Sequence, residues 1–271
     1  MSLLIHISDP HFGTEQLPVV AALQRLVQQQ APGVAILSGD ITQRARPGQF
    51  RAARIFTDQL AVPTTLVIPG NHDIPLFNLA ARLFTPYANF IREFGNELEP
   101  IYASEHLLVI ALNTTRRYRH IDGAVSSAQI ERVAARLAQA TDTQLRIVVT
   151  HQPVCVTESE DAPNLLHGHA IAIKRWAAAG ADLILGGHIH LPFVCALHDR
   201  DAALPRRIWA VQAGTALSTR IRYNAGNSVN LIRYGDGSAG RCCTVERWDF
   251  QPDEQRFIPV QTHELRLDGA A

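Results

Sequence analysis

The chain has 271 residues, 46% of them hydrophobic and 18% charged. That balance excludes an intrinsically disordered chain and is enough to bury a large core. Lys plus Arg and Asp plus Glu both number 25, so no net charge draws the molecule to nucleic acid or to anionic lipid.

In chain order, residues 3–7 read as a strand and 17–30 as a helix, with Val20, Leu23 and Val27 at helical spacing. Residues 34–37 read as a second strand. Residues 50–60 are helical, with Phe50, Ala53, Phe56 and Leu60 on one side. Residues 65–68 form a third strand, and a helix over 76–84 breaks near Pro86. Residues 107–112 are a strand. Residues 126–140 are an amphipathic helix opened by a capping box, Ser126 to Gln129. Strands follow at 145–149 and 183–185. After Phe193 the pattern changes to consecutive strands at 193–197, 207–212, 229–234 and 241–249. Strand–helix alternation implies a largely parallel sheet, and the late strands imply antiparallel additions or a second packed sheet. With no repeat and no Pro/Gly/Ser linker, residues 1–271 read as a single domain, and residues 241–271 as a C-terminal extension free to cover a pocket or pair with a second subunit.

The first nine residues lack a basic start and a small-residue cleavage site, and no apolar run reaches the roughly 18 residues of a membrane span. Cys155, Cys195, Cys242 and Cys243 lack the paired spacing of a zinc site or a disulfide framework, so they are expected to be reduced thiols. Both features point to a cytoplasmic protein with no membrane partner.

Five strands end alike. The first runs into Asp9-Pro10-His11, the second into Gly39-Asp40 and the third into Gly70-Asn71-His72-Asp73. Residues 145–149 run into Thr150-His151, and 183–185 into Gly186-Gly187-His188-Ile189-His190. Ligands in α/β folds bind at the carboxyl ends of strands, and parallel strands would bring these endings to one sheet edge. Nitrogen and oxygen donors without cysteine suit Mn, Fe or Zn. A carboxylate such as Asp40 can bridge two cations about 3.5–4 Å apart. His6 lies inside the first strand and reads as a packed or edge histidine. His167-Gly168-His169 follows no apolar strand and reads as a loop. Arg44, Arg46, Arg51 and Arg54 read as a solvated helix start, with Arg44 and Arg46 also within range of a substrate phosphate.

These blocks, in this order, resemble the five signature motifs of the calcineurin-like metallophosphoesterases over residues 9–190. The resemblance implies a four-layer α/β/β/α sandwich: two mixed sheets flanked by helices, with the metal site at the strand carboxyl ends. It implies two divalent or trivalent metal ions, Mn2+ and/or Fe2+/Fe3+, with Zn2+ as an alternative. Asp9, His11 and His190 would bind one metal, Asn71, His151 and His188 the other, and Asp40 would bridge them. A hydroxide held between the cations would attack phosphorus. His72 would face the phosphate and assist the departing oxygen, with Asp73 accepting a hydrogen bond from its ring. Asp40 is followed by Ile41-Thr42-Gln43-Arg44, unlike the protein phosphatases of the family. The segment 38–43 is similar to bacterial class III cyclic nucleotide phosphodiesterases. The expected function is therefore hydrolysis of a small-molecule phosphodiester, a cyclic nucleotide such as cAMP. The alternatives are a broad-specificity phosphodiesterase or nuclease of the superfamily, and a scaffold subunit. The neutral balance argues against nucleic acid, and the complete ligand set argues against a scaffold.

Overall fold

The computed structural model describes residues 1–119, 121–222, 225–237 and 240–269. Its strands are β1 (Ser2–Ile7), β2 (Val34–Ser38), β3 (Thr64–Ile68), β4 (Ile101–Ala103), β5 (Leu107–Ala111), β6 (Leu145–Val149), β7 (Leu183–Gly186), β8 (Phe193–Ala196), β9 (Trp209–Gln212), β10 (Ser228–Gly237), β11 (Gly240–Gln251) and β12 (Arg256–Arg266). Its α-helices are α1 (Leu17–Gln30), α2 (Pro47–Gln59), α3 (Leu79–Phe84), α4 (Ala88–Phe94), α5 (Ser127–Leu137), α6 (His169–Ala178) and α7 (Leu197–Arg200).

The strands form two sheets, ordered β12-β11-β10-β1-β2-β3 and β4-β5-β6-β7-β9-β8. Parallel pairing joins β1, β2 and β3 in the first and β5, β6, β7 and β9 in the second. The outer strands β4, β8, β10, β11 and β12 pair antiparallel.

The two-residue period of a strand sorts side chains between layers. Leu4, Ile36 and Ile68 of the first sheet pack with Val109, Ile147, Val149 and Leu185 of the second, between the sheets. Their neighbours Ile5, Ile7, Ala35 and Leu37 face outward, onto Leu23, Val27, Phe50 and Phe56 of α1 and α2. On the far side, Leu108, Ile110, Val148 and Ile184 meet Ile130, Val133, Ala172 and Trp176 of α5 and α6. Central strands covered on both faces need continuous apolar runs, which is why these segments show little alternation. The result is the α/β/β/α sandwich.

Local signals explain most boundaries. Ser126 accepts a hydrogen bond from Gln129 N and donates its own backbone N–H to Gln129 Oε1, the reciprocal cap expected at the start of α5. Helix α2 begins three residues before its first apolar position, at Pro47, whose fixed φ suits a first helical residue. The structure departs from expectation in where the endings lie and in the added elements β4, α4, α7 and β12. The five polar endings do not lie on one sheet: β1, β2 and β3 supply three, and β6 and β7 of the facing sheet supply two. Apolar periodicity cannot say which sheet a buried strand joins. Strand β12 was also not expected, because as an edge strand it buries only Phe257 and Leu265. Among the described residues, no helix is long and apolar enough to cross a membrane.

Candidate metal centre

The strand endings carry unusual backbone. Among the described residues, nine that are not glycine have positive φ, and five of these are Asp9 (51°), His11 (44°), Asp40 (47°), His188 (73°) and His190 (56°). Such left-handed residues cost roughly 1–2 kcal/mol each and persist only where surroundings hold them. Here the endings hold one another. Asp9 N donates to Gly39 O at 3.2 Å, His11 N to Asp40 O at 3.0 Å, and Gly187 N to His151 O at 2.8 Å. Gly187 has no alternative: a Cβ there would collide with Ser8 Oγ. Gly39, at φ 103°, is equally confined, because its Cβ would enter the His151 ring.

Two groups of donors result, Asp9–His11–His190 and Asp40–His151–His188, each with its ligand atoms within 4.8 Å of one another. His190 Nε2 lies 3.2 Å from Asp9 Oδ1 and 3.0 Å from His11 Nε2. Asp40 faces both groups, with Oδ2 3.7 Å from His11 Nε2 and Oδ1 3.3 Å from His151 Nε2. Asn71 Oδ1 is 3.3 Å from His151 Nε2, which puts its carboxamide on the second group. Asp9 Oδ1 and His188 Nδ1 are buried without a hydrogen-bond partner. Orphaned buried donors and acceptors are costly. Cations satisfy both atoms.

Protonation points the same way. Burial would raise the Asp9 carboxyl, but His190 and His151 beside it overcome that and hold it well below the usual range. Asp40 behaves likewise, with His151 and His72 as the opposing neighbours. Burial pushes His11 down to about 3 and His188 down to about 4, so both rings are neutral near pH 7. His151 is the exception: Asp40 outweighs burial and raises it to about 9. That proton occupies the place a cation would take. Ionised carboxylates and neutral imidazoles are the forms that metals require.

The family described as calcineurin-like phosphoesterase matches residues 3–192. The chain belongs to it. A metallophosphoesterase of this family is a metal-dependent phosphoester hydrolase with a two-metal site, and the two donor groups above are the candidates for that site. A probable cyclic nucleotide phosphodiesterase of Synechococcus sp. is 27% identical over 185 residues, 67% of each chain. A glycerophosphodiester phosphodiesterase of Enterobacter lignolyticus is 37% identical over 82 residues, 26% of this chain and 29% of that one. The fold is shared with a dimetal phosphatase from Danio rerio at a TM-score of 0.68 and 12% identity, over 98% of this chain and 99% of that one.

Outside the two donor groups, this metallophosphoesterase fixes its imidazoles through backbone carbonyls. Ser38 O lies 2.8 Å from His151 Nδ1 and Arg220 O 2.6 Å from His190 Nδ1, so each ring donates there and turns its Nε2 inward. The expected Asp73–His72 pairing is corrected. Asp73 accepts instead from Gly70 N, Ile41 N and Thr42 N and from the Thr42 hydroxyl, all at 2.8–2.9 Å. His72 turns its Nδ1 to Gln43 O at 2.9 Å. Asn71–Asp73 is a single tight 3-10 turn, and adjacent side chains leave it in different directions. Burial and the charge of Asp40 push the Asp73 carboxyl up to about 7, against those donated bonds. Asp73 is thus a brace between two strand endings. Asp73→Ala would strand three backbone N–H groups. It is expected to lower stability by about 3 kcal/mol or more, read from the urea midpoint of the metal-free chain.

The remaining sequence candidates fall elsewhere. His6 is fully buried between the sheets and pairs with Ser38 Oγ at 2.8 Å. His167 lies in the loop beside Asp122, and His169 opens α6 with its Nδ1 donating to Leu166 O. Arg44, Arg46, Arg51 and Arg54 are exposed. Arg44 lies over the Phe77 ring, and Arg54 pairs with Asp58. A cleft of about 450 Å³ opens over the donors, lined by Asp40, Asn71, His72, His188, His190 and, from the segment 213–222, Arg220 to Arg222. The sequence reading missed Arg220. The available signal was a sixth strand, β9, whose ending, Ala213-Gly214-Thr215, has the same small and polar character as the other five.

Proposed function

We propose that the chain hydrolyses the phosphodiester of a cyclic nucleotide such as cAMP. The observation that carries this reading is the pair of donor groups sharing Asp40 at the floor of an open cleft. In this reading Asp9, His11 and His190 hold one cation, and Asn71, His151 and His188 the other. Asp40 holds both. Nitrogen and oxygen donors suit Mn2+ and/or Fe2+/Fe3+, with Zn2+ also accommodated. Such cations supply Lewis acidity and generate a nucleophile from water at neutral pH.

The protein's own groups do the rest. Asn71 donates through its amide toward the negative phosphoryl oxygens. His72 stands at the cleft beside Asp40, whose Oδ1 accepts the His72 backbone N–H at 2.8 Å. From there its ring meets the departing oxygen. The similarity of segment 38–43 to class III phosphodiesterases and the Synechococcus relative support a cyclic nucleotide. Both curated relatives carry phosphodiesterase names. Four unbridged cysteines accord with a reducing, cytoplasmic setting. Residues 1–271 form one catalytic unit in this reading, with 241–271 completing the first sheet through β11 and β12.

The test compares 3′,5′- and 2′,3′-cyclic nucleotides, bis(p-nitrophenyl) phosphate, nucleoside monophosphates and oligonucleotides on the Mn-loaded protein. A cyclic nucleotide should give the highest kcat/KM, lost on chelation and restored by Mn2+. Full turnover after chelation would sink the metal reading. Preferred cleavage of oligonucleotides with steep salt dependence would replace the substrate.

A further inference from the structure

Arg220 lies beyond residues 3–192, the part that matches the family, yet it lines the cleft. The loop that carries it is built into the centre. Thr215 Oγ1 donates to Asp9 O at 2.7 Å, and Ala216 N donates to Ser8 O at 2.9 Å. Ser218 Oγ pairs with Thr215 Oγ1 at 2.7 Å and accepts Arg220 N at 3.1 Å. Asn227 Nδ2 donates to Ser218 O at 2.8 Å. Thr215, Ser218 and Asn227 are buried, so the loop is fixed against the first strand ending. The Arg220 carbonyl then orients His190, as described above.

The guanidinium points to the other side, toward chemistry. Arg220 Nη1 is 3.1 Å from His72 Nε2 and 3.2 Å from Gln43 Oε1. A guanidinium only donates, so Nε2 of His72 carries a lone pair, consistent with Nδ1–H donating to Gln43 O. Both partners of the guanidinium are neutral, and among the described residues Arg220 forms no ion pair. Arg222, two residues on, is different: it pairs with the buried Asp161. A half-buried cation held only by neutral groups is poised for a better acceptor. An anionic phosphoryl oxygen offers a charge-assisted, potentially bidentate bond of about twice the strength.

We propose that Arg220 is a substrate-binding catalytic residue that leaves Gln43 and His72 for a non-bridging oxygen of the phosphodiester. The bond persists as negative charge grows on that oxygen while the water oxygen bonds to phosphorus and the bond to the leaving oxygen breaks. The same movement uncovers His72 Nε2 on the substrate side. Phosphate capture and exposure of the imidazole are therefore one event. This inference rests on the hydrolase reading above.

The test uses the full chain loaded with Mn2+, and the variants Arg220→Ala, Arg220→Gln and Arg220→Lys. Bound metal is measured by elemental analysis, inorganic phosphate affinity by calorimetry, and kcat/KM on bis(p-nitrophenyl) phosphate. Arg220→Ala and Arg220→Gln should keep wild-type metal content, bind phosphate at least about tenfold more weakly, and lose about 10²-fold in kcat/KM. Arg220→Lys should fall between, because it keeps the charge without the fork. Unchanged phosphate affinity and turnover would overturn the proposal. So would metal loss that parallels the activity loss, which would reduce Arg220 to a backbone support for His190. A wild-type chain that takes up Mn2+ yet neither cleaves nor binds phosphate would instead sink the hydrolase reading itself. The two failures are thereby distinguished. Should Arg220→Ala fail to fold, the longer Gln and Lys side chains carry the same comparison.

Discussion

Asp40→Ala is expected to abolish turnover and strip metal from both halves of the centre. Asp40 sets its two carboxylate oxygens against imidazoles of both donor groups, at 3.7 Å from His11 Nε2 and 3.3 Å from His151 Nε2. Without it, each group loses an anionic ligand and the two lose their common one. Lewis-acid stabilisation by a bound metal is worth several kcal/mol, so the fall in kcat/KM should be at least about 10³-fold and approach that of chelated wild type. Two readouts check it. Elemental analysis should show metal well below that of wild type. Added Mn2+ should raise the melting temperature of the wild-type chain but not of the variant, since only binding to the folded state stabilises it. The metal-free forms separate a folding defect from a binding defect. Removing the acceptor of the His72 N–H and the partner of His151 should itself lower the stability of the metal-free chain, so each melting temperature is read against its own metal-free form. An Asp40→Ala protein with full metal content would contradict the bridging role.

The part of the site legible in sequence was the part written in side chains next to strands. Asp9, His11, Asp40, Asn71, His151, His188 and His190 each follow an apolar run within a few residues. Their type and spacing named a chemistry. The structure brings all seven to one end of the sandwich, through contacts that no periodicity encodes. His188 N reaches Asp9 Oδ2 at 2.8 Å across 179 residues, and it does so between sheets. The sequence could not assign the endings to two sheets, because a strand covered on both faces looks the same in either. Asp73 was misjudged for a related reason. Adjacency in the chain suggested a pair with His72, but three backbone N–H groups, Gly70 on its own ending and Ile41 and Thr42 on the β2 ending, were closer in space. Arg220 was missed because its place at the cleft depends on the segment after β9, which Thr215 and Ser218 lock against Asp9. A surface arginine and a cleft arginine differ only in where such a loop is anchored.

His72→Ala should separate catalyst from ligand. The ring does not belong to either donor group: its Nδ1 faces Gln43 O at 2.9 Å and its Nε2 faces Arg220 at 3.1 Å. The expected variant therefore keeps wild-type metal content and loses about 10²–10⁴-fold in kcat, the usual range for removing a positioned acid–base group. Leaving-group chemistry sharpens the expectation. A p-nitrophenolate departs without a proton, whereas a ribose oxygen of a cyclic nucleotide is a poor leaving group that gains from one, which Nε2 first takes up from solvent once Arg220 has left it. The loss should accordingly be smaller on bis(p-nitrophenyl) phosphate than on cAMP, by about tenfold or more. Equal losses on both substrates would mean that the ring stabilises the phosphoryl group rather than the departing oxygen. Loss of metal equal to that in Asp40→Ala would mean that His72 is a ligand after all. Its backbone N–H already binds Asp40 Oδ1 at 2.8 Å, and that bond survives truncation of the side chain. The variant should therefore leave Asp40 in place, so that only the chemistry beside it changes.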